Sequence, residues 1–131
     1  MTRLSDIQRE QIRSAAMNAV SHVSDAEQEG FFARIKEGRA GTKALEALPE
    51  PLRDAVLGDY NTPDAYEFPA DDTVQAYIRD GLTAVQTACP ELLDQFKRVV
   101  MQACDEVAAA AKGVSDNERA ALAEVRAALG L

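Results

Sequence analysis

Hydrophobic positions recur along this chain at the spacing of an α-helix almost throughout. Ile12, Ala16, Ala19 and Val23 fall at i, i+4, i+7 and i+11, one face of a helix predicted from Ser5 to Val20. Ser5 and Gln8 have the spacing of a capping box at its start. A second helix is expected from Ser24, whose hydroxyl would cap the turn while Glu27 reaches back. It would carry Phe31, Phe32 and Ile35 inward and stop at Gly38 or Gly41. Two short pieces follow: Thr42 to Leu48, ending against Pro49, and Pro51 to Leu57, with proline in its first turn and Gly58 after its last. The stretch Gly58 to Asp71, GDYNTPDAYEFPAD, has no helical period. Beyond it Val74, Tyr77, Ile78, Gly81, Leu82, Val85 and Ala88 trace a stripe over 72–88. Pro90 opens the longest predicted helix, to Ala111, burying Phe96, Val99, Ala103 and Val107 and exposing Glu91, Asp94, Lys97 and Arg98. Ser115 to Leu129 forms the last, with Leu122, Val125 and Leu129 inward and Gly130 closing it. No alternating run of β-branched residues offers a strand. The pattern predicts an all-α, single-domain bundle spanning 1–131, with about six or seven helices joined mostly by short turns.

One phrase occurs twice. Val23-Ser24-Asp25-Ala26-Glu27 and Val114-Ser115-Asp116-Asn117-Glu118 both read V-S-D-x-E, and each is expected to open a helix with a large inward residue seven positions after the serine, Phe31 or Leu122. Serine can accept a bond from an orphan amide there, while the acids oppose the helix dipole. Matched caps of this kind are what two pseudo-symmetric halves would leave in a sequence. The stretch Pro90 to Leu131, with its V-S-x-x-E turn and the ending AEVRAALGL, resembles the helical tellurite-resistance TerB-like family. That family carries A-D-G-x-[IV]-S-x-x-E at such turns, in two related halves. Ala110, Val114, Ser115 and Glu118 match one copy, and Ala19, Val23, Ser24 and Glu27 match the other. The family's aspartate and glycine are replaced by Ala111 and Lys112 in one copy and by Val20 and Ser21 in the other. The resemblance implies a stress-associated module and a divalent cation at acidic turns.

Charge narrows the field of partners. The 131 residues carry 22 acids against 14 bases, a net charge of −8. That balance argues against nucleic acid and against anionic lipid as the main partner. No apolar run reaches the length of a membrane span, and MTRLSDIQRE lacks the apolar core of a secretory leader, so a cytoplasmic location is expected. Cys89 and Cys104 have no partner-like spacing, and with His22 as the one histidine no usual Cys/His zinc set can form. Cys104 lies on or beside an apolar stripe and reads as a small buried hydrophobe. GxSxG, GxGxxG and GxxxxGK[ST] are all absent, so a non-enzymatic role is expected, a small carboxylate-dependent hydrolase being the enzymatic alternative.

Two clusters are candidate sites. Asp25, Glu27, Asp116 and Glu118 would gather four carboxylates if the two turns faced each other, a set suited to calcium or magnesium; ordinary capping accounts for the same residues. The second is the acidic, aromatic segment. No lysine or arginine falls between Arg53 and Arg79, while Asp54, Asp59, Asp64, Glu67, Asp71 and Asp72 do, together with Tyr60, Tyr66, Phe68 and Tyr77. Rings beside carboxylates can hold a cationic group or a basic partner surface. Asp59, Tyr60, Asp64, Tyr66, Glu67 and Phe68 are the candidate contacts, the alternative being a solvated connector that these rings pin to the bundle. Alanine-rich stretches such as 108–111 and 120–128 allow close approach of another helix, whether from within the chain or from a second copy.

Overall fold

Ser5 starts the first helix as its spacing predicts. Its extended backbone turns the hydroxyl to accept from the amide of Gln8 at 3.1 Å, and the Gln8 side chain accepts from the Ser5 amide at 3.0 Å. The computed structural model describes residues 3–26, 31–110 and 114–131, those of 31–37 through their backbone alone. Among these residues six helices form one domain: α1 (Asp6–Ser24), α2 (Phe31–Leu45), α3 (Leu52–Leu57), α4 (Val74–Ala88), α5 (Leu93–Ala110) and α6 (Asp116–Leu129). A single 3-10 turn, Pro90–Leu92, leads into α5. Among the described residues there is no strand.

α1 is the axle. Its stripe of Ile12, Ala15, Ala16, Ala19 and Val23 is at most 1% exposed, and the helix touches each of the other five. Small side chains let neighbours come close. A methyl group on Gly81 of α4 would sit 2.2 Å from the Ala15 Cβ, so the two helices meet where neither has bulk. α2 packs on α5 in the same manner: a methyl on Gly41 would lie 2.9 Å from Val20 Cγ1 and 3.0 Å from Val107 Cγ2. Among the described residues Phe96 is the largest fully buried side chain; with Ile12, Ile78 and Val125 it belongs to one continuous core. Burying each such side chain contributes roughly 1.5–3 kcal/mol.

Four expectations are corrected. Ser24 closes α1 instead of opening the next helix, and the cap that follows it is Asp25, in right-handed helical geometry at φ −83°. The burial of Val20 and Val23 continues the apolar face past the expected stop and carries the helix with it. Gly38 and Gly41 lie inside α2 rather than ending it, and Thr42 belongs to that same helix, not to a separate one. α1, with 19 residues, is longer than α5, with 18. The two V-S-D-x-E phrases therefore adopt different conformations: Ser24 is helical, whereas Ser115 is extended at ψ 167° and caps α6. Glu27, Ala111 and Lys112 lie outside the described residues, and Phe31, Phe32 and Ile35 are described through their backbone only.

Candidate functional site

The connection from Gly58 to Thr73 crosses the outside of α1 and is tied down by it. Arg13 donates to the Tyr60 carbonyl at 2.8 Å and to Thr62 Oγ1 at 3.2 Å, and it pairs with Glu10 one turn earlier. Thr62 in turn donates to Glu10 Oε1 at 3.0 Å. Glu10 is a buried carboxylate, 7% exposed, and these partners are what make its burial tolerable. The guanidinium of Arg9 lies 3.7 Å above the Tyr60 ring, and the Tyr60 hydroxyl donates to Asp54 in α3. That hydrogen bond, with burial and the Asp54 charge adding to it, raises the Tyr60 phenol above its usual pKa of 10.0. Tyr60 is thus a strap between α1 and α3, its ring occupied by the chain's own cation.

The second half of the loop is arranged differently. A turn closed by the Tyr66 amide donating to the Pro63 carbonyl at 3.0 Å folds Tyr66 inward, to 8% exposure. Phe68 then meets the Tyr66 ring edge-on, with centroids 5.0 Å apart and planes at 78°, yet stays 66% exposed. Phe68, Glu67 and Pro69 form one wall of a cleft of about 400 Å³, and Ile7, Gln11 and Asp80 line the rest of it. Asp59, Asp64, Glu67, Asp71 and Asp72 all reach solvent. Tyr77 donates to Asp72 at 3.2 Å; desolvation first, then this bond and the Asp72 charge, raises its pKa too.

Of the six candidate contacts, then, Asp59, Asp64, Glu67 and Phe68 are presented outward, while Tyr60 and Tyr66 are spent on holding the loop. Arg9, Glu10, Arg13 and Thr62 were not singled out by sequence reasoning. The i,i+3 pairs Asp6–Arg9 and Glu10–Arg13 are visible in the sequence, but nothing local says that a segment some 50 residues away lies across them.

Asp25, Asp116 and Glu118 form no metal-ligand cluster among the described residues, and Glu27 lies outside them. Asp25 is the exposed cap at the end of α1. The Asp116 side chain is 98% exposed and pairs with Arg119 at 3.3 Å. Glu118 points the other way, 1% exposed, with Oε1 accepting from the Ser115 amide at 3.2 Å in a capping box. Its Oε2 has no hydrogen-bond partner among the described residues. No three histidine, cysteine, aspartate or glutamate side chains among the described residues gather as metal ligands would. His22 sits half-buried with Nε2 3.3 Å from Glu124 Oε2. Both cysteines are free and buried; burial raises Cys89, the Glu91 charge adding to it and Arg3 opposing it, and burial with the Asp105 charge pushes Cys104 up to about 12, which disfavours the reactive thiolate. No helix of the described residues is long and apolar enough to cross a membrane.

The chain matches no protein-family model, and no curated protein or solved structure is significantly similar to it.

Proposed function

We propose that this protein is a non-catalytic binding module that docks a basic protein segment on the outer half of its acidic loop. The observation that carries the reading is Phe68. Every other ring of the loop is committed to the fold, yet this one stands 66% exposed, beside the cleft and among carboxylates without a cation between residues 54 and 78. A ring backed by Tyr66 is a preorganised anchor, and preorganisation lowers what a partner must spend in ordering entropy. The surrounding acids select for lysine or arginine flanking an apolar side chain that enters the cleft.

The test is selection from a random peptide display library against the intact protein. Enriched sequences should combine basic residues with one bulky apolar residue, and Phe68→Ser should weaken a selected peptide by about tenfold or more. No enrichment, or equal binding to Phe68→Ser, would remove the loop from consideration. Two unpaired thiols suit a reducing compartment, and we place the module in the cytoplasm on that ground. The TerB-like resemblance of Pro90 to Leu131 adds a stress-associated role, checked by tellurite sensitivity of a strain lacking the protein.

A second reading, a divalent-cation sensor at the V-S-D-x-E turns, draws on the buried Oε2 of Glu118. Calorimetry with calcium, magnesium and zinc tests it: heat that disappears in Glu118→Gln favours the sensor, and absence of heat ends it.

A further inference from the structure

Charge on this molecule is segregated, and the basic part has gone unused. Four of the 14 basic residues, Arg34, Lys36, Arg39 and Lys43, fall within ten positions of α2, with Glu37 the sole acid among them. Arg39 and Lys43 are one turn apart, so both stand on the same face, and both are exposed. Neither forms an ion pair among the described residues, whereas Arg3, Arg9, Arg13, Arg53, Arg79 and Arg119 are each held by a carboxylate. Beside them run Gly38 and Thr42, also exposed.

Gly38 is the informative residue. It lies inside a helix, where glycine is among the least favourable choices. Gly41 and Gly81 are explained by side chains that a methyl would strike, but around Gly38 there is nothing within 4 Å. No contact among the described residues requires it. A bare backbone beside two unpaired cations, Arg39 and Lys43, is a place where something from outside can lie flat against the helix.

The surface on this molecule that fits is its own acidic loop. It offers an exposed ring, Phe68, flanked by Asp64 and Glu67, with no lysine or arginine from 54 to 78. We infer that the chain self-associates head to tail, Phe68 of one copy seating on Gly38 of the next while Asp64 and Glu67 meet Arg39 and Lys43. The contact joins two different patches, so it closes reciprocally in a dimer or a larger ring, or propagates into open chains. Exposed ion pairs are individually weak and screened by salt, so association is concentration-dependent and favoured at low ionic strength. The inference rests on the docking role of the loop proposed above, and the occupant it names meets Phe68 with bare backbone and puts no side chain into the cleft.

Sedimentation velocity of the intact protein over a concentration series tests it. At low ionic strength the average mass should climb with concentration, and added salt should reverse the climb. Arg39→Glu with Lys43→Glu, and separately Phe68→Ser, should each lower the association constant about tenfold or more. Far-UV circular dichroism and the urea midpoint confirm that these surface variants fold. A mass that stays monomeric, or a climb that survives the α2 charge reversal, overturns the inference. Binding of a polyglutamate peptide to α2 without self-association overturns it too, by naming a different occupant. The selected basic peptide separates the two proposals: it should bind the α2 variant as tightly as wild type and lose affinity for Phe68→Ser. Peptide binding without self-association removes the inference and leaves the loop's docking role standing.

Discussion

The same substitution at two glycines should have opposite signs, and the difference is set by what a single methyl group meets. In Gly81→Ala the new Cβ falls 2.2 Å from the Ala15 Cβ and 3.0 Å from the Gln11 carbonyl oxygen. Carbon atoms in contact prefer about 3.5–4.0 Å, so α1 and α4 must separate by roughly 1.5 Å along their closest approach. Overpacking of this kind costs about 1–3 kcal/mol, and backbone facing backbone has no flexible side chain to yield, so the upper end applies. Alanine's helix propensity returns about 1 kcal/mol. The net expectation is a loss of about 2 kcal/mol. Gly38→Ala collects the propensity without the clash, since no atom lies within 4 Å, and should gain about 0.5–1 kcal/mol. Ala15→Gly alone forfeits a buried methyl and its propensity, about 2 kcal/mol. Combined with Gly81→Ala, however, it exchanges the methyl across the interface and removes the closest contact. The double variant should then be about 2 kcal/mol more stable than the sum of the singles. Urea unfolding followed by far-UV circular dichroism reads all four. A Gly81→Ala protein at or above wild-type stability, or strict additivity in the pair, would refute the close approach of α1 and α4.

Arg13→Ala should destabilise by about 2 kcal/mol, because it leaves the buried Glu10 carboxylate with Thr62 alone. Limited proteolysis should then cut within 58–73 faster than in wild type, and an unchanged cleavage pattern would show that the clip does not hold the loop. A thiol reagent at mildly alkaline pH should leave native Cys89 and Cys104 untouched while reacting at once in denaturant, since both are 0% exposed. In a spectrophotometric titration Tyr60 and Tyr77 should ionise above pH 10. Folding holds both phenols neutral, so their contribution to stability is complete below pH 10 and is lost as pH rises through their raised values. Asp54→Asn should bring Tyr60 back down, its hydrogen-bonding carboxylate being gone.

What could be read from sequence was whatever local chemistry decides. Ser5 with Gln8, Ser115 with Glu118, and Gly130 at φ 75° are end signals that need no knowledge of the rest of the chain, and all three stand where their spacing puts them. The irregular loop was equally legible from its broken period and its prolines. Ser24 shows the limit of such signals. Its phrase is the same as that of Ser115, yet it lies within a helix, because Val20 and Val23 have a core to enter on that side. Gly41 is the same lesson in reverse: a residue that ends helices elsewhere is kept inside one, so that α2 can pass close to Val20 and Val107. The clamp of Arg9 and Arg13 on the loop was unreadable for a different cause. Its pairs span 47–51 residues, and both cations looked satisfied by acids three positions before them.

That clamp changes what the acidic loop can do. An acidic, aromatic segment free in solution would be a poor docking surface, since ordering it would consume much of the binding energy. Here the cations of α1 take the loop's first ring and first carbonyl, and the turn at Pro63 buries its second ring, so the backbone leading to Phe68 is already anchored at both ends. The acids left over are those that no base among the described residues reaches. Asp59, Asp64 and Glu67 face water with no lysine or arginine nearer in sequence than Arg53 or Arg79. Two kinds of residue are thereby separated along one loop. Tyr60 and Tyr66 serve the fold, and their loss would register as instability. Phe68 and the outward carboxylates serve recognition, and their loss would register in binding while the bundle, whose core lies on the other side of α1, stays as stable as before.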